Sequence, residues 1–103
     1  MTKDTTTKKI KLLKYDVAEQ LRTPEEMAAY LDAWLSDAPD DLPGITRALG
    51  DIARAKGMAE VARVAGLSRE SLYRALGAEG NPSFATILKV TRALGMQLHA
   101  TAD

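Results

Sequence analysis

The sequence predicts an all-α chain, a bundle of four to five helices around a helix-turn-helix, with an N-terminal helical extension and a short candidate strand at the C-terminal end. Three observations predict it. Residues Met58 to Leu76, MAEVARVAGLSRESLYRAL, read as two short helices joined by a tight turn. Apolar residues recur at helical spacing on both sides of that unit. Helix start and stop signals fall where those periods begin and end. The expected divisions are a flexible basic arm over 1–15, the helical extension over 16–42, the helix-turn-helix domain over 43–95, and a tail or strand over 96–103.

The first nine residues, rich in Thr and Lys, hold too few apolar groups to pack. From Ile10 the chain gains hydrophobicity, and Asp16 suits the cap of a short turn carrying Val17, Ala18 and Leu21. Thr23-Pro24-Glu25-Glu26 is a capping box: a Thr at the cap, a Pro at the first helical position, and a Glu three residues after the cap. Met27, Tyr30, Leu31, Trp34 and Leu35 then form one apolar stripe. Ser36 to Pro43, with two prolines and three aspartates, breaks the pattern. Ile45, Leu49, Ile52 and Ala53 mark the next helix, which Gly57 closes in the position where left-handed geometry is usual.

Within the central unit a small residue, Ala62, falls at the fifth place, where two crossing helices leave no room for a larger side chain. Gly66 falls at the ninth, in the turn, where the backbone needs positive φ. Val61, Ala65, Leu67 and Leu72 supply the side facing the core, and Arg69, Glu70, Ser71 and Arg74 cluster on the opposite side of the second helix. Gly77 to Pro82 (GAEGNP) is a loop. Ser83 caps a last helix whose inner stripe is read as Phe84, Ile87, Leu88, Thr91 and Leu94, ended by Gly95. Met96 to Ala100 alternates apolar and polar residues as a short strand would. No internal repeat is visible.

Composition narrows the class. A chain of 103 residues is one domain by size, with little core to spare, so dimerisation would help it. It has no cysteine, which suits a reducing cytoplasm, and no apolar run approaches the roughly 20 residues that span a bilayer. Its start lacks the apolar core of a signal peptide, so a cytoplasmic location and no membrane partner are expected. Net charge is zero but segregated. Five Lys face Asp4 in residues 1–15, one Arg faces eight acids in 16–46, and eight basic residues face four acids in 47–95. That pattern suits either ordinary surface scatter or one face for phosphates and another for a basic partner.

Four helices between about residues 44 and 95, with the middle pair forming the motif, make the lambda-repressor-like, phage-repressor type of DNA-binding domain. The run GMAEVARVAGLSRESLYRALGAEGNPSFATILKVTRALG, residues 57 to 95, closely resembles the addiction-module antidote family, the HigA-like antitoxins of bacterial toxin-antitoxin pairs. Leu72-Tyr73, Gly80-Asn81-Pro82-Ser83-Phe84 and Ala93-Leu94-Gly95 look like that family's recurring pieces. Upstream the resemblance continues more weakly through Tyr15-Asp16, Ala18-Glu19, Pro24-Glu25-Glu26 and Tyr30-Leu31, so it reaches back to about Leu13. It implies an antitoxin that binds operator DNA, represses its own operon and neutralises a small ribonuclease-like or gyrase-poisoning toxin.

In this docking mode the second motif helix enters the major groove by its N-terminal end. Arg69 can donate two hydrogen bonds to guanine, Glu70 can accept from a cytosine amino group, Ser71 can contact several bases, and Arg74 can reach a base or a phosphate. The plain alternative is a solvated helix start with Glu70 and Arg74 as an i,i+4 pair. Ser68 suits the N-cap and can hold a phosphate beside it, and Asn81 and Ser83 are either phosphate contacts or turn and cap chemistry. Ala62, Gly66 and Leu72 are structural. Tyr73 is read as half-buried structure facing neighbouring helices. Lys56, Arg63, Lys89 and Arg92 add phosphate charge or are soluble surface.

One such domain covers one half-site, so a homodimer on an inverted repeat is expected. The C-terminal strand with Leu98 is one candidate interface and the Tyr30–Trp34 helix the other, although such a stripe is more often core. The same residues are candidate toxin contacts, and the acidic segment from Asp16 to Asp41 would complement a basic toxin. Catalysis has little to work with: one histidine, His99, no cysteine, no phosphate-cradling glycine loop, and no ligand pair at metal spacing. No cofactor and no metal are expected. The readings beside the antitoxin are a prophage-type regulator with no toxin and a protein-interaction module that does not read DNA.

Overall fold

The first helix begins where the sequence supplies a complete cap. In the computed structural model, which describes residues 21–102, the Thr23 hydroxyl accepts from the Glu26 N–H at 3.1 Å, and the Glu26 carboxylate accepts from the N–H groups of Arg22 at 2.8 Å and Thr23 at 3.0 Å. Donors that a helix start would leave unpaired are thus satisfied. Those bonds, the one from Arg22 foremost, hold the Glu26 carboxyl below its ordinary range. Pro24 opens the helix, α1, which runs Pro24–Asp37.

The break after α1 is shorter than the prolines suggest, because Pro43 lies in the first turn of α2 (Leu42–Lys56), where a missing N–H costs nothing. The Asp41 carboxylate caps it by accepting from the Gly44 N–H at 2.9 Å. Gly57 ends α2 and begins α3 (Met58–Ala65). It has positive φ as expected but not left-handed helical geometry: φ is 114° and ψ 110°, because one residue must both leave one helix and enter the next. After the turn come α4 (Arg69–Ala75) and α5 (Phe84–Ala93). The described chain is therefore an all-α bundle.

Helix α3 is the central member. It packs against α2, α4 and α5, while α1 lies on α2. One cluster joins them: Met27 and Leu31 from α1, Leu49, Ile52 and Ala53 from α2, Met58, Val61 and Ala62 from α3, Leu72 from α4, Val90 and Ala93 from α5, with Leu21, Leu76 and Leu94 between or beside the helices. Burying each large aliphatic side chain contributes about 1.5–3 kcal/mol, so the short α4 is held by its seat in the core more than by its own propensity. Thr91, also buried, returns its hydroxyl proton to the Leu88 carbonyl at 3.0 Å.

Two expectations fail. Phe84, placed in the inner stripe of α5, is 68% exposed; Ile87, a turn later, is half-buried, and the buried members are Val90, Thr91 and Leu94. The C-terminal strand is not formed: the described residues contain no strand, and a strand needs a second one with which to form a ladder. The alternation still seats Met96 and Leu98 against the core. The basic arm over 1–15 and the turn capped by Asp16 lie outside the described residues.

Candidate nucleic-acid interface

The turn between α3 and α4 is built from backbone. Gly66 stands at φ 73°, ψ 31°, in the left-handed region. The Leu67 N–H reaches back to the Ala62 carbonyl at 2.9 Å and the Gly66 N–H to the Arg63 carbonyl at 3.3 Å, the bond pair of a Schellman motif. Leu67 follows onto the core beside Ala62, which is 2% exposed. The chain then enters α4 through Ser68, whose hydroxyl accepts from the Ser71 N–H at 3.0 Å and donates to the Ser71 hydroxyl at 2.8 Å. Ser68 is a cap, as its place in the sequence implies, and it leaves Ser71 with a proton to donate outward.

Helix α4 divides sharply. Leu72 is 0% exposed and Leu76, one turn on, is buried below it, whereas Arg69, Glu70, Ser71 and Arg74 are all exposed. The four candidate base-reading residues are thus all exposed on α4. Glu70 and Arg74 do not form the i,i+4 pair, in contrast to Arg63–Glu60 at 2.9 Å and Arg54–Asp51 at 3.1 Å. Arg69 has a neighbour that the sequence reading missed: its guanidinium lies over the Tyr73 ring, 5.8 Å from the centroid, a distance at which the ring quadrupole attracts a cation. Tyr73 is therefore exposed rather than turned toward neighbouring helices. Leu72 and Leu76 take the inward positions, and one residue further is about 100° round the helix. The i,i+4 spacing of Arg69 and Tyr73 was the available signal.

The loop after α4 folds back on that helix. The Gly80 N–H donates to the Gly77 carbonyl at 2.9 Å, and the Gly80 Cα lies so close to the Ala75 carbonyl that a Cβ would overlap it. Asn81 is exposed in this loop. Ser83 caps α5, accepting from the Thr86 N–H and donating to the Thr86 hydroxyl, each at 3.1 Å. Ser68, Asn81 and Ser83 are thus placed at or beside two helix starts, where backbone donors and helix dipoles favour an anion.

Tyr30 and Trp34 serve the α1–α2 contact. The Tyr30 hydroxyl donates to Asp51 at 2.9 Å, the same carboxylate accepts from Arg54, and the Trp34 ring lies where a Cβ on Gly44 would be. Burial raises the Tyr30 pKa; the neighbouring Trp34 side chain opposes this and Asp51 adds to it. Charge is uneven along the chain: Glu25, Glu26, Asp32, Asp37, Asp40 and Asp41 are exposed on or just after α1, while Arg63, Arg69, Arg74, Lys89 and Arg92 are exposed on α3 to α5 beside the exposed acids Glu60 and Glu70. Among the described residues no group of His, Cys, Asp or Glu is placed to hold a metal ion, and no helix is long and apolar enough to cross a membrane.

A family model described as "probable addiction module antidote protein" matches residues 11–102. A Haemophilus influenzae protein described only as uncharacterized is 52% identical over 83 residues, which cover 81% of this chain and 84% of that one. No solved structure matches.

Proposed function

This chain belongs to the probable addiction module antidote family, and we propose that it is a sequence-specific DNA-binding antitoxin, HigA-like and built on a phage-repressor type of helix-turn-helix, that represses its own operon and neutralises a small toxin. It acts by binding and not by catalysis. The observation that carries the DNA reading is the outward side of α4: four exposed polar side chains at the start of a capped helix whose other side is locked by fully buried Leu72. Rigid seating matters because bidentate base contacts discriminate only when the donors are fixed.

In this reading α4 enters the major groove. Arg69 reads guanine O6 and N7, Glu70 accepts from a cytosine amino group, Ser71 donates, and Arg74 reaches a base or a phosphate. Ser68, Asn81 and Ser83 meet phosphates and fix the register. Two copies bind an inverted repeat. The acidic surface of α1 faces away from this task in charge and suits a basic toxin, which electrostatic complementarity would steer toward it.

A reporter driven by the DNA upstream of the protein's own gene tests the regulatory half, and growth in cells expressing the adjacent gene tests the other. The expected outcome is repression by the wild type, loss of repression in Arg69→Ala, and growth restored by both proteins. A reporter indifferent to the wild type, with or without the adjacent gene product, refutes autoregulation. Toxicity that neither protein relieves refutes the antitoxin role.

A further inference from the structure

The described chain ends in a segment whose backbone is unused. The last hydrogen bond recorded in the tail runs from the Met96 N–H to the Thr91 carbonyl at 2.9 Å, and none of the N–H or C=O groups of residues 97–102 has a partner among the described residues. The side chains alternate over four residues: Met96 and Leu98 are half-buried against the core, Gln97 and His99 are exposed, and Ala100, next on the inner side, is exposed. A segment pinned on one face with a free edge is a template for strand addition.

We propose that residues 97–101 pair antiparallel with the same residues of a second copy of this chain, centred on His99. The inference rests on the two-copy part of the proposed function and names the surface that joins the copies. Three features of the chain select a second copy as the occupant. First, Tyr30 and Trp34, the other candidate interface, are engaged on α2. Second, residues 96–102 hold no Asp, Glu, Lys, Arg or Pro, the devices by which natural edges resist self-pairing, so two identical edges meet without like-charge repulsion. Third, symmetry restricts the register to pairs centred on a residue, and His99 is the middle of the uncharged, unbonded stretch 97–101. A two-fold axis through an antiparallel pair sets each residue opposite one that points to the same face, so the axis passes through a residue and not between two. Centring on His99 uses all five positions 97–101. It sets Gln97 opposite Thr101 and Leu98 opposite Ala100, keeping Leu98 of each copy on its core face.

A pair of five-residue strands buries a few hundred Å² per copy, below the ~800 Å² per partner of stable complexes. The contact is accordingly concentration-dependent, and oxidation that traps it covalently accumulates the paired form.

The chain has no cysteine, so single cysteines placed along the full chain report directly on this register. Directly opposed residues in an antiparallel pair lie about 4.5–5.5 Å apart at Cα, inside the range a disulfide accepts. Each of residues 97–101 is replaced by Cys in turn, with Glu79→Cys as an exposed control, and disulfide dimers are scored after mild oxidation without DNA. His99→Cys should cross-link about fivefold more than the control, and mixed Gln97→Cys and Thr101→Cys should form the heterodimer in preference to either homodimer. A maximum at another position, equal yields at all five, or no excess over Glu79→Cys overturns the proposal.

Hydrogen exchange on the unaltered protein gives a check free of substitution. Protection of the 97–101 amides should rise with protein concentration, and protection independent of concentration would place another segment of the same chain on this edge and overturn the pairing. Because no DNA is present, failure here leaves the DNA reading standing, and failure of DNA binding leaves this pairing to be judged on its own.

Discussion

Replacing Gly66 by alanine isolates the backbone contribution of the turn that aims α4. Gly66 stands at φ 73°, ψ 31°, and a Cβ built there meets nothing within 4 Å. The cost is therefore conformational and not steric. A non-glycine residue in left-handed helical geometry loses about 1–2 kcal/mol. Alanine returns about 0.4–1 kcal/mol by restricting the unfolded chain. The net loss expected is about 1 kcal/mol, which in a domain of this size lowers Tm by about 4–8 °C. Asparagine, which visits this region more readily, should cost less than alanine, and β-branched valine more. Urea unfolding of the four proteins should show midpoints in the order Gly, Asn, Ala, Val with unchanged slope. An alanine variant as stable as the wild type, or an asparagine variant less stable than the alanine one, would refute the account of the turn.

Other substitutions probe the elements that hold the site. Leu72→Ala, at a fully buried position, should cost about 2–5 kcal/mol in urea unfolding, a large share of the 5–15 kcal/mol typical of a whole domain. Tyr30→Phe removes the bond to Asp51 and should cost about 1 kcal/mol near neutral pH. Because the folded Tyr30 pKa is raised above its ordinary value, its contribution is full below that value and is lost as pH rises through the folded one; melting curves taken into the alkaline range should fall more steeply for wild type than for Tyr30→Phe. At the start of α1 the sign reverses. The lowered Glu26 pKa gives stability that is present above the ordinary carboxylate value and lost as pH falls through the lowered one, so Glu26→Gln should flatten the acid side of the stability profile, while Thr23→Ala costs about 1 kcal/mol at neutral pH.

Most of the architecture was readable because local signals and periodicity agree. The Thr23–Glu26 box, the Ser68 and Ser83 caps, and Gly66 between two short amphipathic helices each act within a few residues, and the structure realises them all. The departures arise where the outcome depends on distant parts of the chain. Helical spacing says which side of α5 is apolar but not where its packing partner ends, so Phe84 shares the stripe of Ile87 and Thr91 and yet lies in solvent. Tyr73 reads as inward from its place in the helix; its direction is set by Leu72 and Leu76, which take the core positions. Alternation in 96–100 defines a strand-like face, whereas a strand also needs a neighbour to bond. At the candidate interface the sequence sets Arg69, Glu70, Ser71 and Arg74 apart from the core residue Leu72, and the four are exposed where Leu72 is buried. The guanidinium resting on Tyr73 depends on rotamers, which spacing alone does not determine.

The central claim is that the outward side of α4 reads DNA. Fluorescence anisotropy with the duplex immediately upstream of the protein's own gene tests it most directly, using the wild type and Arg69→Ala at two salt concentrations against an unrelated duplex. The account predicts selective binding by the wild type, weakened as salt rises because phosphate contacts release counterions. It also predicts that Arg69→Ala binds both duplexes alike. Equal affinity of the wild type for the two duplexes, or undiminished selectivity in Arg69→Ala, would contradict it.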